Sequence, residues 1–142
     1  MMCSVKKAVL FGFFLILASC IKQEDITTFV PEDTRVDITI PPAFIPQDGT
    51  FYVTNGQGYN ANGIVLFNYG RGNFRAFDLT CPTECLEAMS IDNSGIMACN
   101  TCENKKISFT QYQITIKENG TTYGLREYST KLEGGVVRIT NF

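Results

Sequence analysis

The sequence predicts an all-β domain, and three observations carry that expectation. Apolar and β-branched residues alternate with polar ones in short runs, the mark of half-buried strands. Gly-, Asn- and Asp-rich turn signals separate those runs at regular spacing. No stretch holds an apolar stripe at helical spacing long enough for a stable helix, and no internal repeat is evident. Short strands and frequent turns point to a sandwich or a small barrel.

The chain start stands apart from that pattern. Lys6 and Lys7 form a positive segment, and the apolar run 8–18 (AVLFGFFLILA) has the length of a signal-peptide core, too short for a comfortable membrane span. The run ends Leu17-Ala18-Ser19-Cys20, which resembles a bacterial lipobox. That resemblance implies cleavage before Cys20 and a diacylglycerol on its sulfur; ordinary secretory cleavage would leave a free thiol instead. Several acyl chains anchor a protein firmly, where one binds only marginally. Three segments are therefore expected: 1–19 as signal peptide, 20–35 as lipid anchor and linker, and 36–142 as the β domain. The expected location is the bacterial cell envelope, lipid-anchored at the outer membrane on its periplasmic or surface face, with the membrane as a partner through Cys20. Residues 22–25 (KQED) resemble the surface-export signals of Bacteroidetes lipoproteins, and read equally as a solvated tether.

The domain then unfolds in order. Residues 21–34 are polar, acidic and contain Pro31, as a linker does. Residues 36–40 (VDITI) alternate with period two, and Pro41, Pro42 and Pro46 keep the strand from continuing. Strands are expected at 51–53 and 63–67, joined by the turn-rich GQGYNAN. The glycines of 56–63 precede a strand and no helix, so a strand-connecting turn is expected and not a phosphate loop. Residues 74–79 come directly after the turn 70–73 (GRGN), which makes a hairpin. Strands 89–91 and 96–98 flank the hairpin turn 92–95 (DNSG). Residues 106–109 and 111–116 continue the pattern, and Glu118-Asn119-Gly120 is a further turn. Residues 135–141 form a terminal β-branched strand after a Gly-Gly break, while 125–130 carries no clear assignment. Phe67, Phe77, Ile96 and Ile139 are the expected core, with Tyr112, Tyr123 and Tyr128 as β packing.

Composition removes several functions. The chain has no histidine, so Ser-His and Cys-His nucleophiles, imidazole metal ligands and the usual near-neutral general base are absent. Loss of residues 1–19 removes two of the 12 Lys+Arg, leaving 10 against 14 Asp+Glu and a net charge of −4. A nucleic-acid partner needs a basic footprint and is not expected.

Four of the six cysteines lie in CPTECLEAMSIDNSGIMACNTC, as Cys81-x3-Cys85 and, thirteen residues on, Cys99-x2-Cys102. Three readings of these sulfurs stand open. Two short loops can each place two thiolates on one tetrahedral zinc ion. Four thiolates can carry an all-cysteine iron–sulfur centre such as [2Fe–2S]. In an oxidising compartment they can pair as disulfides, in any of three connectivities.

The surrounding residues narrow the frame. FRAFDLTCP (74–82), MACNTC (97–102), LREY (125–128) and VVRITN (136–141) together resemble Rieske domains, in particular the Rieske-like lipoproteins of Bacteroidetes. The resemblance covers roughly residues 36–142. It implies an antiparallel β-sandwich with a small subdomain, 63–115, that carries two cluster loops at its tip. A Rieske centre has two cysteines on one iron and two histidines on the other. Carried over, the cysteine positions fall on Cys81 and Cys99, and the histidine positions on Thr83 and Cys102. Neither histidine is present. Many Rieske proteins also tie these loops with a disulfide, which would contribute about 3 kcal/mol here.

The expected function is a membrane-anchored Rieske-like lipoprotein with a degenerate cluster site, in a structural or binding role, its cysteines as disulfides, with a protein partner left open. The alternative is a metal or [2Fe–2S] electron-transfer protein with Cys81, Cys85, Cys99 and Cys102 as ligands. A free-standing enzyme is the least favoured class. Glu84 and Glu87 flank the first loop and read as solvated surface, and Pro82 as a residue that shapes the loop.

Overall fold

The computed structural model describes residues 24–100, 102 and 107–141. The signal segment, Cys20 and Lys106 lie outside the described residues. Among those described there is no α-helix; Pro42–Phe44 and Tyr59–Ala61 form single 3-10 turns. No helix among them is long and apolar enough to cross a membrane.

The strands are β1 (Ile26–Thr27), β2 (Asp37–Ile40), β3 (Phe51–Thr54), β4 (Ile64–Asn68), β5 (Phe74–Asp78), β6 (Ser90–Ile91), β7 (Met97–Cys99), β8 (Ile107–Phe109), β9 (Thr115–Glu118), β10 (Thr121–Gly124), β11 (Glu127–Glu133) and β12 (Val136–Thr140). They form an all-β fold of three sheets. The largest is antiparallel throughout, ordered β2-β12-β11-β5-β4-β3, and curls into a half-barrel. A second sheet is β6-β7-β8, and a third is β1-β10-β9, in which β1 runs parallel to β10.

The expected hairpins form where turn chemistry demands them. β4 and β5 pair antiparallel from Ile64↔Asp78 to Asn68↔Phe74 across the 70–73 turn. At 92–95, Asp92 Oδ1 accepts the N–H groups of Ser94 (2.8 Å) and Ile96 (3.0 Å), and Gly95 takes φ +77°. Asn119 and Gly120 both have positive φ and join β9 to β10, the two-residue turn whose twist suits a hairpin.

Period two divides the core. Val65 and Phe67 of β4 face one cluster with Phe77, Leu79, Met97, Phe109 and the cysteines. Ile64 and Leu66 face the other, with Phe74, Ala76, Tyr128, Val137 and Ile139. A strand covered on both faces reads as the continuous apolar run seen at 63–67. Each such side chain contributes roughly 1.5–3 kcal/mol by leaving water.

Several expectations change. Ile96 is 39% exposed and not core, because the register Ile91↔Met97 turns Met97 and Cys99 inward and Ile96 away. Tyr112 is 80% exposed: the expected strand from residue 111 begins only at Thr115, since Thr110 Oγ1 accepts the N–H groups of Tyr112 and Gln113 and folds them into a turn. Of the region 125–130, residues 127–130 belong to β11, the longest strand, and Leu125 and Arg126 link it to β10. Residues 64–78, expected within the loop-bearing subdomain, form β4 and β5 of the large sheet, between β11 and β3. Residues 24–35, read as linker, are docked from Glu24 on. β1 pairs with β10, Val30 is buried, and Asn141 Nδ2 donates to the carbonyl oxygens of Glu32 and Thr34.

Candidate functional site: a paired cysteine cluster

β5 runs into the first loop. Leu79 N–H is held by Gly63 O at 2.9 Å, Met89 N–H by Leu79 O at 2.7 Å, and Cys81 N–H by Glu87 O at 2.8 Å. These bonds pinch residues 81–87 into a narrow loop. Within it the chain turns back through Leu86, whose N–H reaches Thr83 O at 3.2 Å and whose φ is +49°. Buried Pro82 offers its carbonyl to Phe29 N–H at 3.1 Å, so the docked N-terminal segment braces this loop.

The second loop leaves the end of β7. Cys99 pairs in register with Ile107 of β8, and Asn100 Nδ2 donates to Ser90 Oγ at 2.6 Å. Cys102 then lies back under the first loop.

The two loops meet through sulfur. Cys81 is bonded to Cys99 and Cys85 to Cys102, with Cα separations of 5.6 and 5.7 Å, well inside the range a disulfide spans. The pairs interleave along the chain. Closing the first constrains a loop of 18 residues and contributes about 3 kcal/mol in the chain-entropy model. The second then closes only a ring of about seven residues and adds about 2 kcal/mol.

The pairs differ in access. Cys81 and Cys99 are buried in the core cluster behind the large sheet. Cys85 is half-buried, and the Cys85–Cys102 pair forms one wall of a solvent-connected cavity of about 400 Å³. Thr83, Glu84, Ile107, Glu118 and Tyr123 complete the lining. Glu118 and Tyr123 arrive on the β9–β10 hairpin, far along the chain. No sequence signal marked them for this place, although Tyr123 was recognisable as a β residue. The exposed carboxyl group of Glu84 beside the cavity favours cationic groups there.

The Sγ atoms of Cys81, Cys85 and Cys102 all lie within 4.8 Å of one another, so both sulfur pairs occupy a single small volume. Thr83 Oγ1 sits between them, 3.3 Å from Cys81 Sγ and donating to Cys85 Sγ at 3.4 Å. The four positions that the Rieske resemblance singles out, Cys81, Thr83, Cys99 and Cys102, therefore meet in space. As a donor set they do not fit a Rieske centre. Thr83 and Cys102 stand where imidazoles are required, and in the paired state no thiolate is left to ligate. Glu84 and Glu87 are exposed, as solvated side chains are.

The strand that leads into the first loop ends on a buried carboxylate. Asp78 Oδ2 accepts Tyr59 N–H at 2.8 Å and the Tyr128 hydroxyl at 2.6 Å, while its Oδ1 has no hydrogen-bond partner. Gly58 lies against it: a Cβ there would fall 2.5 Å from Asp78 Oδ2, and φ is +79°. The glycine of this turn is needed for close approach to a buried acid.

No protein-family model matches this chain, and a search of curated proteins found no match either.

Proposed function

We propose that the chain is a lipid-anchored protein of the bacterial cell envelope, its Rieske-like β domain serving a structural or binding role at the membrane surface. The observation that carries this reading is the pairing of all four loop cysteines in a chain without histidine. Two loops that would carry a cluster in a Rieske protein are here closed on each other. An oxidising compartment outside the cytoplasm supports such bonds. The lipobox-like Leu17-Ala18-Ser19-Cys20 after an apolar core supports export and anchoring at the outer membrane.

Docking of residues from Glu24 onward limits the tether. Four residue steps separate Cys20 from Glu24, a reach of at most about 14 Å. The domain would thus ride close to the lipid headgroups, within reach of neighbouring envelope proteins. The pairing supplies the rigidity a binding surface needs, because ordering a loop in advance removes part of the entropy lost on binding.

Lipid labelling and thiol titration test the reading together. The full chain expressed in a Gram-negative host is expected to incorporate labelled fatty acid and to partition into detergent. Cys20→Ala is expected to do neither. Denatured without reductant, the lipidated protein is expected to show no reactive thiol at Cys81, Cys85, Cys99 or Cys102. A soluble, unlabelled wild-type protein overturns the anchor. Four reactive thiols overturn the staple.

A further inference from the structure

We propose that reduction converts the two sulfur pairs into a single tetrahedral four-thiolate site for a soft divalent cation, with Zn²⁺ as the fitting ion. The inference rests on the sulfur geometry and not on the lipid anchor or the Rieske resemblance.

One zinc ion holds four thiolates about 2.3 Å from itself, which places the sulfurs about 3.8 Å from each other. Cys81, Cys85 and Cys102 already lie within 4.8 Å of one another, and Cys99 is bonded to Cys81. Cleaving both bonds lets each pair relax from about 2.05 Å to that separation by side-chain rotation alone. Backbone hydrogen bonds of Cys81 and Leu86 hold the first loop, and the β7–β8 register holds Cys99, independently of sulfur. A two-iron cluster fits less well. Two metals and two bridging sulfides between the ligand pairs would spread Cys81, Cys85 and Cys102, whose sulfurs are gathered within 4.8 Å of one another here.

The surroundings suit a cation. Thr83 Oγ1 is placed to donate a hydrogen bond to a thiolate of Cys81 or Cys85, the kind of outer contact that orients a ligand and tunes its charge. The cavity against Cys85 and Cys102 is the route by which reductant and ion arrive, and the exposed Glu84 on its lining raises the local cation concentration. Conversion is balanced by two equivalents of a dithiol. Each dithiol gives two electrons and two protons to one cysteine pair and is itself oxidised to a disulfide. Zinc then displaces the thiol protons into solvent.

The test uses the purified full chain in detergent, reduced with a phosphine that leaves no competing thiol. Co²⁺ is the probe. The expected result is one Co²⁺ per chain with intense visible bands of a tetrahedral thiolate complex. One equivalent of Zn²⁺ should bleach them, and the unreduced chain should show none. Cys102→Ser is expected to abolish the bands, and Thr83→Val to weaken Zn²⁺ binding about tenfold. Recovery of β circular dichroism by stoichiometric Zn²⁺ also supports the site if reduction alone loosens the fold. The proposal is overturned if the reduced, folded chain gives only weak octahedral Co²⁺ bands or none. It is equally overturned if Zn²⁺ fails to restore a loosened fold, or if the reduced chain assembles iron and sulfide in preference to zinc. Four native thiols with bound zinc would end the staple reading and leave this one standing.

Discussion

Tyr128 gives its phenolic proton to Asp78 Oδ2 across 2.6 Å, binding β11 to the end of β5 at the entrance to the cysteine loops. The pair is buried, and Tyr59 N–H is the other donor to the same oxygen. It fastens three distant segments at the point where the chain leaves the large sheet for the site.

Tyr128→Phe leaves the ring but removes the donor, so the buried carboxylate keeps only the Tyr59 N–H on that oxygen. Destabilisation of about 1–3 kcal/mol is expected from urea midpoints. Alkali supplies a second signature. Burial, then the hydrogen bond to Asp78 and its charge, push the Tyr128 phenol far above the usual tyrosine range. The folded chain therefore holds this proton more tightly than the unfolded chain does. That contribution is complete below about pH 10 and is lost as pH rises beyond it. The wild type should lose stability more steeply above pH 10 than Tyr128→Phe. Parallel curves would show that the phenol does not titrate as its setting requires.

Asn141 holds the N-terminal segment down. Its Nδ2 donates to Glu32 O at 2.7 Å and to Thr34 O, and its Oδ1 accepts Arg126 Nη2 at 2.8 Å. Asn141→Ala is expected to cost about 1–2 kcal/mol. Hydrogen exchange should quicken across residues 24–35 before it changes in β4 or β5. Uniform quickening would mean that this segment is not separately docked.

The two sulfur pairs should respond unequally to reductant. A limiting dithiol followed by alkylation and peptide mass spectrometry is expected to label Cys85 and Cys102 first, because they line the cavity. Cys81 and Cys99, both buried, should react only at higher reductant. Loss of the outer pair alone should cost about 2 kcal/mol and loss of both about 5 kcal/mol. Simultaneous labelling of all four would contradict the difference in access.

The candidate site was half legible in advance. Cys81, Cys85, Cys99 and Cys102 declare themselves by spacing, and the Asp92–Gly95 turn between the loops brings them near. The pairing did not show, because four cysteines admit three connectivities and the choice depends on where β7 lies beside the first loop. Ile96 misled for a local reason: one residue past a glycine turn, its side depends on register. Tyr112 misled because a threonine side chain diverted the backbone into a turn before β9 could start.

The sequence by itself determined the all-β class, most strand positions and the gathering of cysteines between two strands. Each of those comes from neighbours within a few residues, where alternation and turn chemistry act. Only the tertiary structure decided that Cys81 meets Cys99 and Cys85 meets Cys102, that Thr83 stands between the pairs, and that β9 and β10 close a cavity over the outer one. It also decided that residues after Glu24 join the fold, through a parallel pairing with β10. These relationships join segments with long stretches of chain between them. They arise when buried apolar faces choose a common register, and no short stretch of sequence holds that choice.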